Sequence, residues 1–180
     1  MKSYRRHQAW AKEDGAHFIT CTTHERVPWF ENNTYCQIVA DQLSFYARHY
    51  NVTLLAYVIM PDHVHLLIYP EGEKTFMDYM RGVKSYSAKL ILEQKCVRVS
   101  NIGLGQGTPP IGVYPAHHVS KQKHKVWQPE FFDYLIFKSE KLEEKLEYII
   151  QNPVEDGLVQ KSDDYKWLFV DHEKIDQLLH

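Results

Sequence analysis

Cysteine is scarce: the three present, Cys21, Cys36 and Cys96, include no C-x-x-C pair. That excludes a zinc-finger or thioredoxin-type motif, argues against a disulfide framework and favours a reducing cytoplasm as the compartment. Long hydrophobic runs are missing too. The longest apolar-rich stretch, Val52 to Met60, covers nine residues with Thr53 inside it, about half of a membrane span. The basic start MKSYRRHQAW is followed by no apolar segment, so no signal peptide and no membrane association are expected. An excess of one charge is also lacking. Lys plus Arg number 21, Asp plus Glu 23, and the net charge is -2, which gives no overall pull toward nucleic acid. No internal repeat is visible.

What is present is an ordinary globular composition, 44% hydrophobic and 24% charged over 180 residues, long enough for one domain with a real core. The expectation is a single domain over 1–180. It has a basic N-terminal arm at 1–12, a Gly/Pro/Lys-rich loop at 100–125 and a C-terminal tail at 153–180.

The pattern of elements is readable. AHFITCTT (16–23) is β-branched and aromatic, a strand. Glu31 to Tyr50 carries apolar residues at helical spacing. VTLLAYVIM (52–60) and HVHLLIYP (63–70) flank the turn residues Pro61 and Asp62, which predicts an antiparallel hairpin. Thr75 is placed to cap a helix running to about Lys95. A strand follows near 131–137, then a long helix capped by Ser139 and ended by Pro153. Trp167, Leu168 and Phe169 are expected to pack on the core, ahead of a last helix. The order β-α-β-β-α-β predicts an α+β, ferredoxin-like antiparallel sheet with helices on one face. An additional helix follows, and strand 63–70 lies inside the sheet.

The near-zero net charge hides an asymmetry. Residues 81–125 carry +7, whereas 126–180 carry -7. The basic segment, with Arg81, Lys84, Lys89, Lys121, Lys123 and Lys125, suits a phosphate backbone, and Arg5 and Arg6 form a weaker second cluster. A solvated helix face and a frayed terminus would read the same way.

Chemistry concentrates in two places. His63 and His65 alternate on a strand, so both imidazoles share one face and Val64 takes the other. Such a pair suits a divalent ion, although an isolated H-x-H is more often two hydrogen-bonded histidines. Tyr148 and Asn152 stand four apart on the long helix, hence on one side of it. Their residue types supply a phenol nucleophile and a neutral amide ligand. A boundary aromatic and a helix-terminal Asn fit equally well. Asp62 is expected to face away from His63, and the EKLEEKLE stretch (140–147) to be a solvated helix surface.

YVIMPDHVHLLIYP resembles the signature of the HUH-superfamily single-tyrosine transposases. VWQPEFFDYLI, followed by YIIQNPVEDGLV, resembles the second signature of their REP-associated branch. The likeness spans about residues 4–168. It implies a ferredoxin-like fold and a transesterase that cleaves and rejoins single-stranded, often hairpin-flanked DNA through a 5′-phosphotyrosine link. By position it makes Tyr148 the nucleophile and His63, His65 and Asn152 ligands of Mg²⁺ or Mn²⁺. It leaves a homodimer open, since some relatives exchange the tyrosine helix between subunits and some act alone. Two alternatives remain from the residues: a DNA-hairpin-binding protein that no longer moves DNA, and a His-metal phosphodiesterase using water.

Overall fold

A computed structural model describes residues 15–71, 76–102 and 125–179, with the side chains of 96–102 left aside. Its framework is a five-stranded antiparallel sheet of β1 (Ala16–Thr22), β2 (Val52–Met60), β3 (His63–Pro70), β4 (Phe132–Ile136) and β5 (Leu168–Val170), in the order β4-β1-β3-β2-β5. The first four strands have the order expected of the split β-α-β arrangement, and β3 lies between β1 and β2. The helices are α1 (Asn33–Tyr50), α2 (Phe76–Ile102), α3 (Ser139–Glu155) and α4 (His172–Leu179).

Strand alternation sorts the side chains into two cores. Ile19, Cys21, Val64, Leu66 and Ile68 pack under α1 and α2 with Val39, Leu43 and Val83. Phe18, Val58, Met60 and Leu67 face the opposite way, against Leu142 and Ile149 of α3 and Ile175 of α4. The sheet is therefore covered on both faces. α1 and α2 share one, as the sequence predicts, while α3 and α4 take the other. At about 25 cal/mol per Å² of apolar surface, this two-sided burial is the main stabilising contribution.

Local chemistry sets the ends of the elements. Asn32 caps α1 by accepting from the Thr34 N–H at 2.9 Å, and Asn51 closes it in the left-handed region at φ 52°. The helix thus begins two residues later than Glu31, which lies in a 3-10 turn. The hairpin turn between β2 and β3 is the two residues Pro61 and Asp62, as predicted. α2 extends past Lys95 to Ile102, shortening the expected loop, and Thr75 lies outside the described residues.

The cap of α3 differs from expectation. Lys138 takes that position with no side-chain hydrogen bond, and Ser139 is already helical. Nor does Pro153 end the helix. It sits inside the last turn and removes one N–H there. The chain nevertheless continues to Glu155, because the Asp156 N–H reaches the Asn152 carbonyl at 3.0 Å and the Leu158 N–H the Pro153 carbonyl at 2.9 Å.

β5 is an addition to the predicted set. It docks at a bulge in β2 between Leu54 and Ala56, where the Asp171 N–H reaches the Leu55 carbonyl at 2.8 Å. Trp167 is buried and donates from Nε1 to Asn33 Oδ1 at 2.9 Å, whereas Phe169 is part-exposed against Tyr57. Among the described residues no helix is long and apolar enough to cross a membrane.

Candidate active site

The register of three strands builds the site floor. Thr20 of β1 stands opposite His65 of β3, and Thr22 opposite His63. His63 and His65 share the face covered by α3, with ring centroids 4.7 Å apart. Val64 points into the other core, as the alternation requires.

Each imidazole is held at one nitrogen. His65 Nδ1 shares a 2.8 Å hydrogen bond with Thr20 Oγ1. With Nδ1–H donating, the lone pair lies on Nε2, and that atom is buried with no hydrogen-bond partner among the described residues. Burial, followed by the charges of His63, Arg26 and Lys145, pulls the His65 pKa down to about 3. The ring is therefore neutral at pH 7, the form that can coordinate an ion.

His63 Nδ1–H donates to Asp62 Oδ1 at 2.6 Å, and Arg26 Nη1 donates to the other carboxylate oxygen at 3.2 Å. The expectation that Asp62 turns away from His63 is thus corrected. The tight turn swings the carboxylate back onto the neighbouring ring, where it orients the imidazole rather than serving as a ligand.

α3 brings the second half of the site. Leu142 and Ile149 are buried against the sheet, which fixes the helix rotation and sets Tyr148 over β1 and β3. The Tyr148 ring meets His65 at 5.0 Å and Phe18 at 5.8 Å, both edge-on. The residue remains 40% exposed, so its ring is accessible from solvent. One turn further on, Asn152 is buried and its Oδ1 has no partner among the described residues.

Two acceptor atoms without partners in a dry setting are costly unless something binds them. A neutral imidazole nitrogen and an amide oxygen on the same side of the sheet fit a divalent cation. Among the described residues no three His, Cys, Asp or Glu side chains cluster as a metal site. Any ion here would depend on the amide of Asn152 beside the two imidazoles.

Lys145, expected only as part of a solvated helix surface, belongs to the site. It lies one turn before Tyr148, and its ammonium hangs over Phe18 at 5.2 Å and over Tyr134 and Tyr148 at 5.8 Å each. Spacing of i−3 from the tyrosine is the signal that could have found it. Lys141 and Glu144 form a surface pair, and the other Glu144 oxygen, Oε1, pairs with the Lys145 ammonium at 3.5 Å.

The predicted basic residues divide. Lys84 is spent inside the structure: its Nζ donates to the carbonyls of Gln128, Pro129 and Glu130 at 2.8, 3.1 and 3.3 Å. It is thereby withdrawn from the set available to a phosphate backbone. Arg81 is exposed and paired with Asp78 at 2.9 Å; Lys89 is exposed beside Tyr86. Lys125 is exposed as well. Arg5, Arg6, Lys121 and Lys123 lie outside the described residues. Tyr79 on α2 is buried and donates to the Leu43 carbonyl at 3.2 Å, a core role. The Trp127-Gln128 segment is structural too. Trp127 Nε1 donates to Ser87 Oγ at 3.0 Å, and the Gln128 N–H reaches the Thr22 carbonyl at 2.9 Å, guiding the chain into β4.

Known proteins resemble this chain in sequence and fold. The family described as Transposase IS200 like matches residues 13–102, half of the chain, including both histidines. Over 171 residues the chain is 24% identical to a protein of Haemophilus influenzae. That match covers 93% of this chain and 84% of the relative, whose still provisional name is REP-associated tyrosine transposase. A solved structure of a REP-associated tyrosine transposase bound to a REP hairpin aligns with a TM-score of 0.64 at 21% identity. It covers 100% of this chain and 88% of the other, a likeness of fold. The chain belongs to the IS200-like transposase family, and its likeness there is to the REP-associated tyrosine transposases.

Proposed function

We propose that this protein is a metal-dependent DNA transesterase that cleaves and rejoins single-stranded, hairpin-flanked DNA through a covalent tyrosine link. The observation that carries the reading is the convergence on one sheet face of two unpartnered buried acceptors, His65 Nε2 and Asn152 Oδ1, with the exposed Tyr148 ring against His65. The hairpin substrate is suggested by the solved relative, which is bound to a REP hairpin.

In this reading Tyr148 Oη gives up its proton and attacks the phosphorus of a phosphodiester. A bond forms from the phenolic oxygen to phosphorus, and the bond from phosphorus to the 3′-oxygen breaks. The 3′-oxygen takes up a proton and leaves as a hydroxyl, while the 5′-phosphate stays on the tyrosine. Attack by a 3′-hydroxyl from another end reverses the step.

His63, His65 and Asn152 would hold Mg²⁺ or Mn²⁺. A divalent ion bound by three neutral ligands keeps its full charge to polarise a phosphodiester. Thr20 and Asp62 fix the imidazoles in the tautomer that frees Nε2. Lys145 supplies a cation 5.8 Å from the centroid of the Tyr148 ring, which favours negative charge developing on that phenol.

A denaturing gel tests the reading, using labelled hairpin DNA from the flanks of the protein's own gene, with Mn²⁺ or with EDTA. The expected outcome is a DNA-protein band with Mn²⁺ that disappears with EDTA and in Tyr148→Phe, while Tyr148→Phe still binds DNA. Cleavage that survives in Tyr148→Phe without a covalent band would assign the site to water-based hydrolysis. Binding without any cleavage would leave a DNA-hairpin-binding protein.

A further inference from the structure

Strand β4 is an outer edge of the sheet, and edge strands usually carry charge or a covering element. Here Phe132 is 57% and Tyr134 40% exposed. Alternation sends both rings to the face that holds His63 and His65. The register places them there: Phe132 pairs with Thr20, which pairs with His65, and Tyr134 pairs with Phe18. Phe132 thus stands two strands from His65, roughly 10 Å away in one cross-strand row.

A groove of about 510 Å³ opens at the Phe132 end of this row, lined by Thr20 and Thr22 on one side and by the Gln128–Phe132 segment, with Glu130 in it, on the other. Lys145 adds charge. Its ammonium lies 5.8 Å from the centroids of both Tyr134 and Tyr148, so one cation joins the aromatic strip to the candidate nucleophile.

Flat exposed rings beside a cation suit a ligand that is itself flat, apolar-faced and anionic. An unstacked nucleotide has these properties: its base can lie on an aromatic ring and its phosphate can pair with an ammonium. Resting on the transesterase reading above, we propose that Phe132, Tyr134 and Lys145 form a subsite for two successive unpaired nucleotides of single-stranded DNA next to the bond that Tyr148 attacks. The bases stack on the two rings, and Lys145 holds the intervening phosphate. The strip keeps the strand extended as it enters the site, which positions the scissile phosphorus before chemistry.

Fluorescence anisotropy in EDTA tests this with two labelled DNAs: a hairpin from the gene's flanks with unpaired extensions, and the same hairpin trimmed to stem and loop. Phe132→Ala is expected to weaken binding of the extended hairpin by about 5- to 150-fold, the range of one base-aromatic stack. Binding of the trimmed hairpin should be unchanged. Phe132→Leu, which keeps apolar bulk, should show the same selective loss, and Phe132→Trp should retain wild-type affinity. Equal loss on both DNAs, or no loss on either, overturns the subsite. So does conversion of a dimer to a monomer by Phe132→Ala, which would assign the strip to a second copy of the chain. If wild-type protein forms the covalent product while Phe132→Ala and Phe132→Leu bind the extended hairpin normally, the subsite alone fails. Wild-type protein that binds neither DNA and gives no covalent product overturns the transesterase reading with it.

Discussion

His65 is the residue whose surroundings constrain it most. Burial and nearby cations hold its folded pKa at about 3, below its ordinary 6.5. As pH falls below 6.5, the unfolded chain takes up a proton that the folded ring refuses, so stability declines with falling pH and the decline ends near 3. The slope from this one group is at most about 1.4 kcal/mol per pH unit. Urea midpoints of the protein in EDTA should therefore fall more steeply between pH 7 and 5 for wild type than for His65→Gln. Parallel curves would mean that the ring is not held neutral. The position of His65 beside His63 was legible in the sequence because strand alternation alone fixes it, and the i,i+4 pairing of Tyr148 with Asn152 needed only a helix. Thr20, Asp62, Lys145 and Phe132 were not legible as parts of a site. The Thr20–His65 contact spans 45 residues and depends on the register between β1 and β3. Asp62 depends on the sense of a turn, and Lys145 on how far α3 rotates toward the sheet. Of these, only the i−3 spacing of Lys145 from Tyr148 is local, and it does not say whether α3 turns that lysine toward the sheet.

The elements were legible where a period or a turn signal is long. β1 to β4 and the first three helices follow from alternation, helical spacing and the Pro-Asp turn, with ends displaced by a few residues. β5 escaped because it has three residues and forms only where the bulge in β2 offers a free carbonyl at Leu55. Lys84 escaped in the other sense: a cation on an exposed-looking helix position turned inward to close a loop of carbonyls. Packing between elements also explains Gly82, which sits mid-helix where glycine ordinarily costs about 1 kcal/mol relative to alanine. A Cβ there would stand 2.7 Å from Tyr46 Cε1 and 2.8 Å from its Cδ1, so α2 approaches α1 across the bare glycine. Withdrawing the half-buried Tyr46 ring would break its stacking on Tyr50 at 5.8 Å and its edge contact with Phe45 at 5.1 Å. Gly82→Ala should consequently destabilise by about 1–3 kcal/mol despite its better helix propensity. A thermal scan that shows Gly82→Ala as stable as wild type, or more so, would mean that the two helices separate freely.

At the scale of the molecule, the sheet divides the chemistry from most of the positive charge described. His63, His65, Tyr148 and Asn152 belong to the face covered by α3, while Arg81 and Lys89 lie on α2, in the layer across the sheet. The acidic 126–180 part of the chain supplies the tyrosine helix itself, so on the proposed function attraction for a phosphate backbone on that face falls to few cations among the described residues, Lys145 being one. A nucleic acid that contacts both regions has to pass an edge of the sheet, and at the β4 edge the described segment leading into the strand begins at Lys125. On the proposed function, the lysines expected to bind DNA would hold it while Tyr148 reacts. Replacing Lys121, Lys123 and Lys125 together by glutamine should weaken hairpin binding and flatten its dependence on salt. The slope of log K against log salt falls by about 0.7 for each single-strand phosphate no longer neutralised. Once DNA is saturating, the rate of covalent-product formation should stay near wild type, because the proposed function gives these lysines to binding and the reaction to His63, His65, Tyr148 and Asn152. An unchanged salt slope would put the DNA path elsewhere. A slope that flattens together with a loss of covalent product at saturating DNA would mean that this segment positions the reacting phosphate as well as binding the strand.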